Sequence, residues 1–160
     1  MTPSARPPTV PPVTVRPGDP RSEEGRALLG ASHAYLASLY PAEHNHYLSV
    51  DELAQPHIDF WIAEVDGQPR GCIALARMGD YGEVKSMFVD SATRGAGLGA
   101  ALLSTLESRA RATGLPVLRL ETGDDLYPAH RLYRRHGFTD CGPFGDYEEG
   151  PHSVFMEKRL

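Results

Sequence analysis

Hydrophobic and polar positions follow two different periods along this chain, which predicts a domain of mixed strands and helices. A period of two, typical of strands, recurs in short segments bounded by glycine, proline and aspartate, and one continuous apolar run at Gly71–Met78 is consistent with a central strand. A period of three to four, typical of helices, fills three longer segments. The predicted strands are Val13–Arg16, Ile58–Val65, Gly71–Met78, Glu83–Val89, Val117–Glu121, Phe138–Cys141 and Ser153–Lys158. The predicted helices are Arg21–Tyr40, Leu98–Thr113 and Tyr127–His136.

Helix-breaking residues support these bounds. Pro41 stops the first helix, Gly114 and Pro116 end the second, and Gly137 ends the third. The resulting order, β-α-β-β-β-α-β-α-β-β, predicts a mixed α+β fold in which the second helix starts near the middle of the chain.

Composition indicates one globular domain. The chain has 160 residues, of which 41% are hydrophobic and 23% charged, as in ordinary globular proteins. Residues 1–12 are rich in Pro, Ser and Thr, so we expect a disordered tail before a folded domain at 13–160. A net charge of −5 argues against a nucleic-acid partner. The sequence has no apolar run long enough to span a membrane, so we expect no membrane partner.

The most informative segment is Arg94-Gly95-Ala96-Gly97-Leu98-Gly99, which follows a strand and opens a helix. Backbone N–H groups at a helix N-terminus lack partners and face the positive end of the helix dipole. A glycine-rich loop leaves them accessible, so the segment predicts a site for a phosphate-bearing ligand.

Two other phosphate-binding loops fit this segment poorly. A Walker A loop is excluded because no Lys-Ser or Lys-Thr follows the glycines. Gly95, Gly97 and Ala100 match the dinucleotide fingerprint, but Asp90 to Arg94 separate them from the strand. Three strand-like segments precede the loop, and too little chain follows for a second βαβ half.

The sequence resembles the GNAT family of acetyl-CoA-dependent N-acetyltransferases from about Val13 to Leu160. Arg94-x-x-Gly97-x-Gly99 fits the family's pyrophosphate loop, which has Arg or Gln, then Gly, then Gly or Ala at these spacings. Ala129-x-x-Leu132-Tyr133-x-x-x-Gly137-Phe138 fits a second, later family signature. One departure is Leu126, where many members have an Asn that helps to hold pantetheine.

The resemblance implies a central, mostly antiparallel twisted sheet of about six to seven strands, with an acetyl-CoA slot between the fourth and fifth. Acetyl-CoA would act as co-substrate. Its pantetheine arm would pair with the fourth-strand backbone, and the Val89 N–H would face the thioester oxygen. The residues implied in cofactor binding are Met87, Phe88, Val89, Arg94, Gly95, Ala96, Gly97, Leu98, Gly99, Ala100 and His130.

The resemblance also implies an acid and a base. Tyr133 would protonate the departing CoA thiolate. Glu83 would take a proton from the substrate ammonium, directly or through water, and Glu121 is a second candidate. Strand alternation places Glu83, Lys85 and Met87 on one face, with Val84, Ser86 and Phe88 on the other.

Histidine and cysteine usage gives no sign of a metal or an acyl-enzyme. His44 and His46 form the one close pair among seven histidines, so we expect a solvated loop and no metal. Cys72 and Cys141 lie outside both motifs, so we expect buried thiols in a cytoplasmic protein and direct transfer rather than an acyl-cysteine.

The predicted activity is acetyl transfer to a primary amine, with a small molecule as acceptor. Tyr40, His44, His46 and the Phe144–Glu149 loop are candidates for the acceptor pocket. Two alternatives stay open: acetylation of a protein lysine or N-terminus, and a non-catalytic acyl-CoA-binding domain. The family resemblance also allows a homodimer through the last two strands.

Overall fold

Seven strands form one sheet in the computed structural model, which describes residues 12–93 and 95–160. The tail predicted at 1–12 lies outside the described residues apart from Pro12, and so does Arg94. The strands are β1 (Val13–Pro17), β2 (Ile58–Val65), β3 (Gln68–Arg77), β4 (Gly82–Val89), β5 (Val117–Gly123), β6 (Thr139–Asp140) and β7 (Ser153–Arg159). The helices are α1 (Glu23–Leu39), α2 (Val50–Leu53), α3 (Leu98–Ala112) and α4 (Tyr127–Arg135). The predicted mixed fold is confirmed.

The sheet is antiparallel except at its centre. Its order is β1-β2-β3-β4-β5-β7-β6, and β4 and β5 are the parallel neighbours. They are parallel because α3 crosses over between them, as parallel pairing requires. The two strands are paired only at Gly82 with Leu118 and Glu83 with Arg119, although both continue for several residues.

Helices cover both faces of the sheet, and the period-two pattern of the strands assigns residues to each. On one face, Trp61 and Ile73 pack with leucines of α3 and with Tyr133 of α4. On the other, Ile62 and Cys72 pack with Leu29 of α1 and with α2. Neighbouring strand residues therefore enter opposite cores, as alternation predicts.

A β-bulge in β4 overturns the alternation predicted for that strand. Ser86 has a φ of +54°, and the register against β3 shifts between Cys72 and Ala74. The extra residue reverses the facing of everything after it. Met87 therefore packs on the α3 side with Val84, and not with Glu83 and Lys85 as predicted.

The α1 face of the sheet is apolar on β2 and β3 but polar on β4 and β5. Cross-strand partners share a face, so Lys85 and Glu83 lie beside Ala74 and Ala76 on this side. Arg119 pairs with Glu83, and Glu121 follows two residues later on β5. The candidate site lies on this polar half.

Two glycines in α1 give opposite predictions for the same substitution. Gly25 is buried in the first turn, where an added Cβ would contact the Asp19 carbonyl oxygen and lie 3.0 Å from Pro20 Cα. Those are backbone atoms with little freedom to move. We expect Gly25→Ala to lower the free energy of unfolding by about 1–3 kcal/mol. Chemical denaturation at neutral pH measures it.

Gly30→Ala is the matched control in the same helix. Nothing lies within 4 Å of an added Cβ at Gly30, and this residue is exposed. Alanine should therefore raise the free energy of unfolding by about 0.5–1 kcal/mol through helix propensity. Equal effects of the two substitutions would contradict the packing described for the start of α1.

Candidate active site

The separation of β4 from β5 opens a cavity in the middle of the sheet. The cavity has a volume of about 1320 Å³ and is lined by both strands, by α1, and by the facing ends of α3 and α4. One end of the cavity, here called the glycine end, is formed by Gly95, Gly97, Leu98, Gly99 and Ala100. The opposite end, here called the polar end, is formed by Tyr40, His44, His46, Lys85, Glu121 and His152.

The β4 backbone presents free groups to this gap. The Asp90 N–H donates to the Arg70 carbonyl at 2.7 Å, and Val89 is the cross-strand partner of Gly71. Because antiparallel pairs alternate between bonded and non-bonded, Gly71 and Val89 form a non-hydrogen-bonded pair. The Val89 N–H therefore points away from β3, toward the gap. Met87, Phe88 and Val89 all line the cavity.

The glycine end fits an anion. Gly95 and Gly97 have φ values of +86° and +84°, and Gly97 is the N-cap of α3 without a side-chain cap. The first N–H groups of α3 are thus left for a ligand. Gly99 serves packing, because an added Cβ would lie 2.7 Å from Leu132 Cδ2 and 3.1 Å from Met87 Cε.

Two residues predicted at this end have other positions. Ala96 packs against the core on the α3 side. His130 places Nε2 2.7 Å from the Gly123 carbonyl oxygen, at the turn between β5 and α4. Neither is among the residues that line the cavity.

Tyr133 faces the cavity from α4. Only 5% of the residue is exposed, and its ring lies 5.8 Å from that of Phe138. Burial, together with the negative charge of Glu121, raises the pKa of Tyr133. The phenol therefore keeps its proton at neutral pH. Leu126 adds an apolar side chain to the lining, where an Asn was expected from the family pattern.

Glu83 belongs to a closed cluster beneath the polar end. Tyr147 Oη donates to Glu83 Oε2 at 2.5 Å, and Lys85 Nζ lies 3.2 Å from the same oxygen. Lys85 Nζ also donates to Tyr147 Oη at 2.8 Å and to the His46 carbonyl at 2.9 Å. Glu83 is buried, and Lys85, rather than Glu83, is the member that lines the cavity.

Glu121 lines the cavity itself. Ser153 Oγ donates to Glu121 Oε2 at 2.8 Å. Burial raises the pKa of Glu121, and the hydrogen bond from Ser153 opposes that shift only in part. The Glu121 side chain lies on the same face of the sheet as Glu83 and closer to the polar end.

Tyr40 closes the polar end from the α1 side. The Asp125 N–H donates to Tyr40 Oη at 3.1 Å, where the chain turns from β5 into α4. Gly123 makes this contact possible, because an added Cβ would lie 2.8 Å from Tyr40 Cε2 and nearer still to the hydroxyl. His152 contacts the rings of both Tyr40 and His44, at 5.3 and 5.1 Å between centroids.

Sequence reasoning missed the roles of Lys85, Tyr147 and Ser153. Lys85 had a visible signal, its spacing of two from Glu83 on a strand. Tyr147 lies in the loop between β6 and β7, and Ser153 is the first residue of β7. Their contacts with β4 and β5 depend on strand order rather than on local pattern.

Residues 12–93 and 95–160 contain neither a cluster of metal ligands nor a membrane-spanning helix. No three or more His, Cys, Asp or Glu side chains are grouped as a metal ion would need. No helix in that part of the chain has both the length and the apolar character to cross a membrane.

Comparison with known proteins finds acetyltransferases. The model of the Acetyltransferase (GNAT) family matches residues 29–138. A protein of Azospirillum brasilense named IAA acetyltransferase is 46% identical over 155 residues, covering 94% of this chain and 100% of that protein. A solved Klebsiella pneumoniae structure described as an acyl-CoA N-acyltransferase is 32% identical with a TM-score of 0.78, covering 92% of this chain and 97% of that one. A GNAT structure from Elizabethkingia anophelis with acetyl-CoA bound shares the fold, at a TM-score of 0.69 and 18% identity, covering 92% and 98%.

The raised pKa of Glu121 predicts a pH-dependent effect on stability. The folded protein binds the Glu121 proton more tightly than the unfolded chain, so stability is lost as pH rises from the ordinary value of 4.5 through the raised one. Glu121→Gln is neutral throughout and should remove that loss. We expect its stability gain over wild type to be larger at about pH 8 than at about pH 4, measured by thermal unfolding.

Glu43→Gln is the control, because Glu43 is exposed on the 41–47 segment. Its difference from wild type should not vary with pH in the same way. A Glu121→Gln gain that is flat with pH would contradict the raised pKa.

Proposed function

The chain belongs to the GNAT family of acetyltransferases, and we propose that it transfers an acetyl group from acetyl-CoA to the primary amine of a small molecule in a ternary complex. The observation that carries this proposal is the single cavity that joins a free α3 N-terminus, the β4 edge, Tyr133 and Glu121. An anion site, a strand edge, an acid and a carboxylate thus share one space.

The cofactor end of the proposal rests on backbone groups. The N–H groups at Leu98–Ala100 would hold the pyrophosphate, and the β4 edge would pair with the pantetheine arm as an added strand. The Elizabethkingia acetyltransferase with bound acetyl-CoA supports this choice of cofactor. Arg135 of α4 also lines the cavity and offers a positive charge to a phosphate.

The proposed reaction forms a C–N bond and breaks the C–S bond of the thioester. Glu121 accepts the proton that the amine loses, and its raised pKa makes it a stronger base than an ordinary carboxylate. The Val89 N–H donates to the carbonyl oxygen as that oxygen gains negative charge. Tyr133 gives its proton to the leaving sulfur.

We assign the base to Glu121 rather than to Glu83, the first choice from the sequence. Glu83 Oε2 already accepts from Tyr147 and is ion-paired with Lys85. Glu121 lines the cavity and lies near the end of β5, on the side of the proposed acceptor site. Glu83 then has a structural role as the ion-pair partner of Lys85, without contacting the substrate.

An acyl-cysteine route is disfavoured by the two cysteines. Burial raises the pKa of the Cys72 thiol to about 12, so it stays protonated and unreactive. Cys141 is not among the residues that line the cavity. Both are free thiols, which fits the reducing cytoplasm where acetyl-CoA is available.

A small acceptor fits the polar end better than a protein chain does. A protein acetyltransferase needs an open groove across the ends of β4 and β5. Here the 41–47 segment and the segment between β6 and β7 meet at that place, through His44 with His152 and His46 with Tyr147. The contact narrows the approach to Glu121.

The direct test is acetyl-CoA binding by calorimetry, followed by free-thiol release across small amines, amino acids, polyamines, aminoglycosides and peptides. We expect binding and release with a small amine. Gly97→Ala should weaken acetyl-CoA binding roughly tenfold, because it strains the N-cap and places a Cβ among the proposed phosphate donors. Gly114→Ala is matched, since Gly114 also has a positive φ but lies after the opposite end of α3. No binding of acetyl-CoA, or equal weakening by both variants, would overturn the cofactor site.

Tyr133→Phe should keep acetyl-CoA binding and lower kcat about 100-fold, because it removes the proton donor but keeps the ring in its packed position. Glu121→Gln should lower kcat/KM by a similar factor at neutral pH. Single-turnover kinetics measures the chemical step in both.

Glu83→Gln serves as the comparison for the base. If Glu83 has only a structural role, Glu83→Gln should lower kcat/KM less than Glu121→Gln does. A larger loss would return the base to Glu83, and near wild-type single-turnover rates in Tyr133→Phe would remove Tyr133 from the mechanism.

A further inference from the structure

Lys85 joins three separate parts of the chain through one ammonium group. Its Nζ contacts Glu83 on its own strand, Tyr147 in the 141–152 segment between β6 and β7, and the His46 carbonyl in the 41–47 segment. Two of its three N–H donors make hydrogen bonds, to Tyr147 Oη and to the His46 carbonyl, and the Glu83 carboxylate lies 3.2 Å away as its ion-pair partner. Lys85 is therefore held by the protein from three sides.

We propose that Lys85 and Tyr147 are positioning residues that lock the two walls of the polar end against β4. This proposal rests on the proposed function, because the polar end is the acceptor site only if the protein transfers an acetyl group. The lock consists of Lys85, Tyr147, Glu83 and the His46 carbonyl. It sets where His44, His46 and Tyr47 of the 41–47 segment lie relative to Glu121.

The 41–47 segment is hydrogen-bonded to the sheet through this lock, and ring contacts of Tyr47 with His33 and of His44 with His152 also hold it. Its other side-chain hydrogen bonds given by the structure are local, from Asn45 Nδ2 to the carbonyls of Tyr40 and Pro41. Within the described residues, the bond from Lys85 is the hydrogen bond that ties the segment to the sheet. The edge contact between His46 and Tyr147 adds a 5.5 Å ring contact to the same point.

The 141–152 segment meets the lock through Tyr147. The Tyr147 ring packs against Phe144 and Phe155, at 5.1 and 5.7 Å between centroids, so its hydroxyl is directed onto Glu83 by a packed aromatic group. Removing the hydroxyl alone leaves that packing in place.

Burial makes the lock strong. The side chains of Lys85 and Glu83 are only 10% and 9% exposed. A buried ion pair that loses one partner leaves a charge without compensation, which is costly. Loss of Lys85 should therefore remove the hydrogen bonds to the Tyr147 hydroxyl and the His46 carbonyl and leave the Glu83 carboxylate without its cation.

The first test does not need acetyl transfer. Amide hydrogen–deuterium exchange is measured on the full chain in wild type, Lys85→Met, Tyr147→Phe and two controls. We expect exchange in residues 42–47 and 144–150 to become roughly tenfold faster in Lys85→Met, with a smaller increase in Tyr147→Phe. The rest of the sheet should exchange as in wild type.

The controls match the chemistry of each change. Lys158→Met removes a half-buried lysine paired with Glu107, away from the cavity. Tyr81→Phe removes a hydroxyl from the neighbouring ring on Phe144, outside the lock. Neither should speed exchange in the two segments. Unchanged exchange in Lys85→Met, or faster exchange across the whole sheet, would overturn the lock. If Lys85→Met does not fold, the same criterion is applied to the exchange rates measured in Tyr147→Phe.

The second test uses an amine that the wild type acetylates. Lys85→Met should raise the acceptor KM roughly tenfold while the acetyl-CoA dissociation constant stays within about twofold. The double variant with Tyr147→Phe should be little worse than Lys85→Met alone, because both residues serve one cluster. Equal losses for acceptor and acetyl-CoA, or fully additive effects, would overturn the positioning role. If the wild type acetylates no amine, the proposed function is wrong. The exchange data would still test whether the lock holds the two segments.

Discussion

The early separation of β4 and β5 is the constraint on which the site depends. Two parallel pairs, at Gly82 and Glu83, hold the strands together before they part. Every later backbone group on the facing edges needs another partner, because buried polar groups are rarely left unpaired. The bulge at Ser86 contributes by turning Met87 and Val89 toward the α3 side. The cavity is thus lined by strand edges and a helix N-terminus, whose backbone N–H and C=O groups can bind a ligand.

The same separation explains the division of the α1 face. Where β2 and β3 pair fully, this face is buried under α1 and is apolar, with Phe60, Ile62 and Ala74 in the core. Where the sheet opens, Glu83, Lys85 and Glu121 can stand together because they compensate one another. Glu83 is paired by Lys85, whereas Glu121 keeps a hydroxyl partner, Ser153, and a side toward the cavity. One carboxylate is thus paired within the protein, and the other is open to the cavity.

Much of this was predictable from local sequence. The glycine-rich loop and the start of α3 follow from the local sequence, and the strands follow from alternation or, for β3, from a continuous apolar run. The bulge at Ser86 was not predictable, since nothing in Lys85-Ser86-Met87 marks an extra residue, and it reversed the predicted face of Met87. Tyr147 was also out of reach, because its contact with Glu83 spans 64 residues and requires β7 to return beside β5.

In the proposed reaction, Tyr133 and Glu121 would set the direction of proton transfer. Burial raises the pKa of both, and the charge of Glu121 raises that of Tyr133 further. The two shifts act in useful senses: a phenol that holds its proton is ready to give it to a thiolate, and a carboxylate with a raised pKa is a stronger base. A proton taken up by Glu121 also lowers the local negative charge that holds the proton on Tyr133. Proton uptake from the amine would therefore make proton release from Tyr133 easier, coupling the two ends of the transfer without any direct bond between the residues.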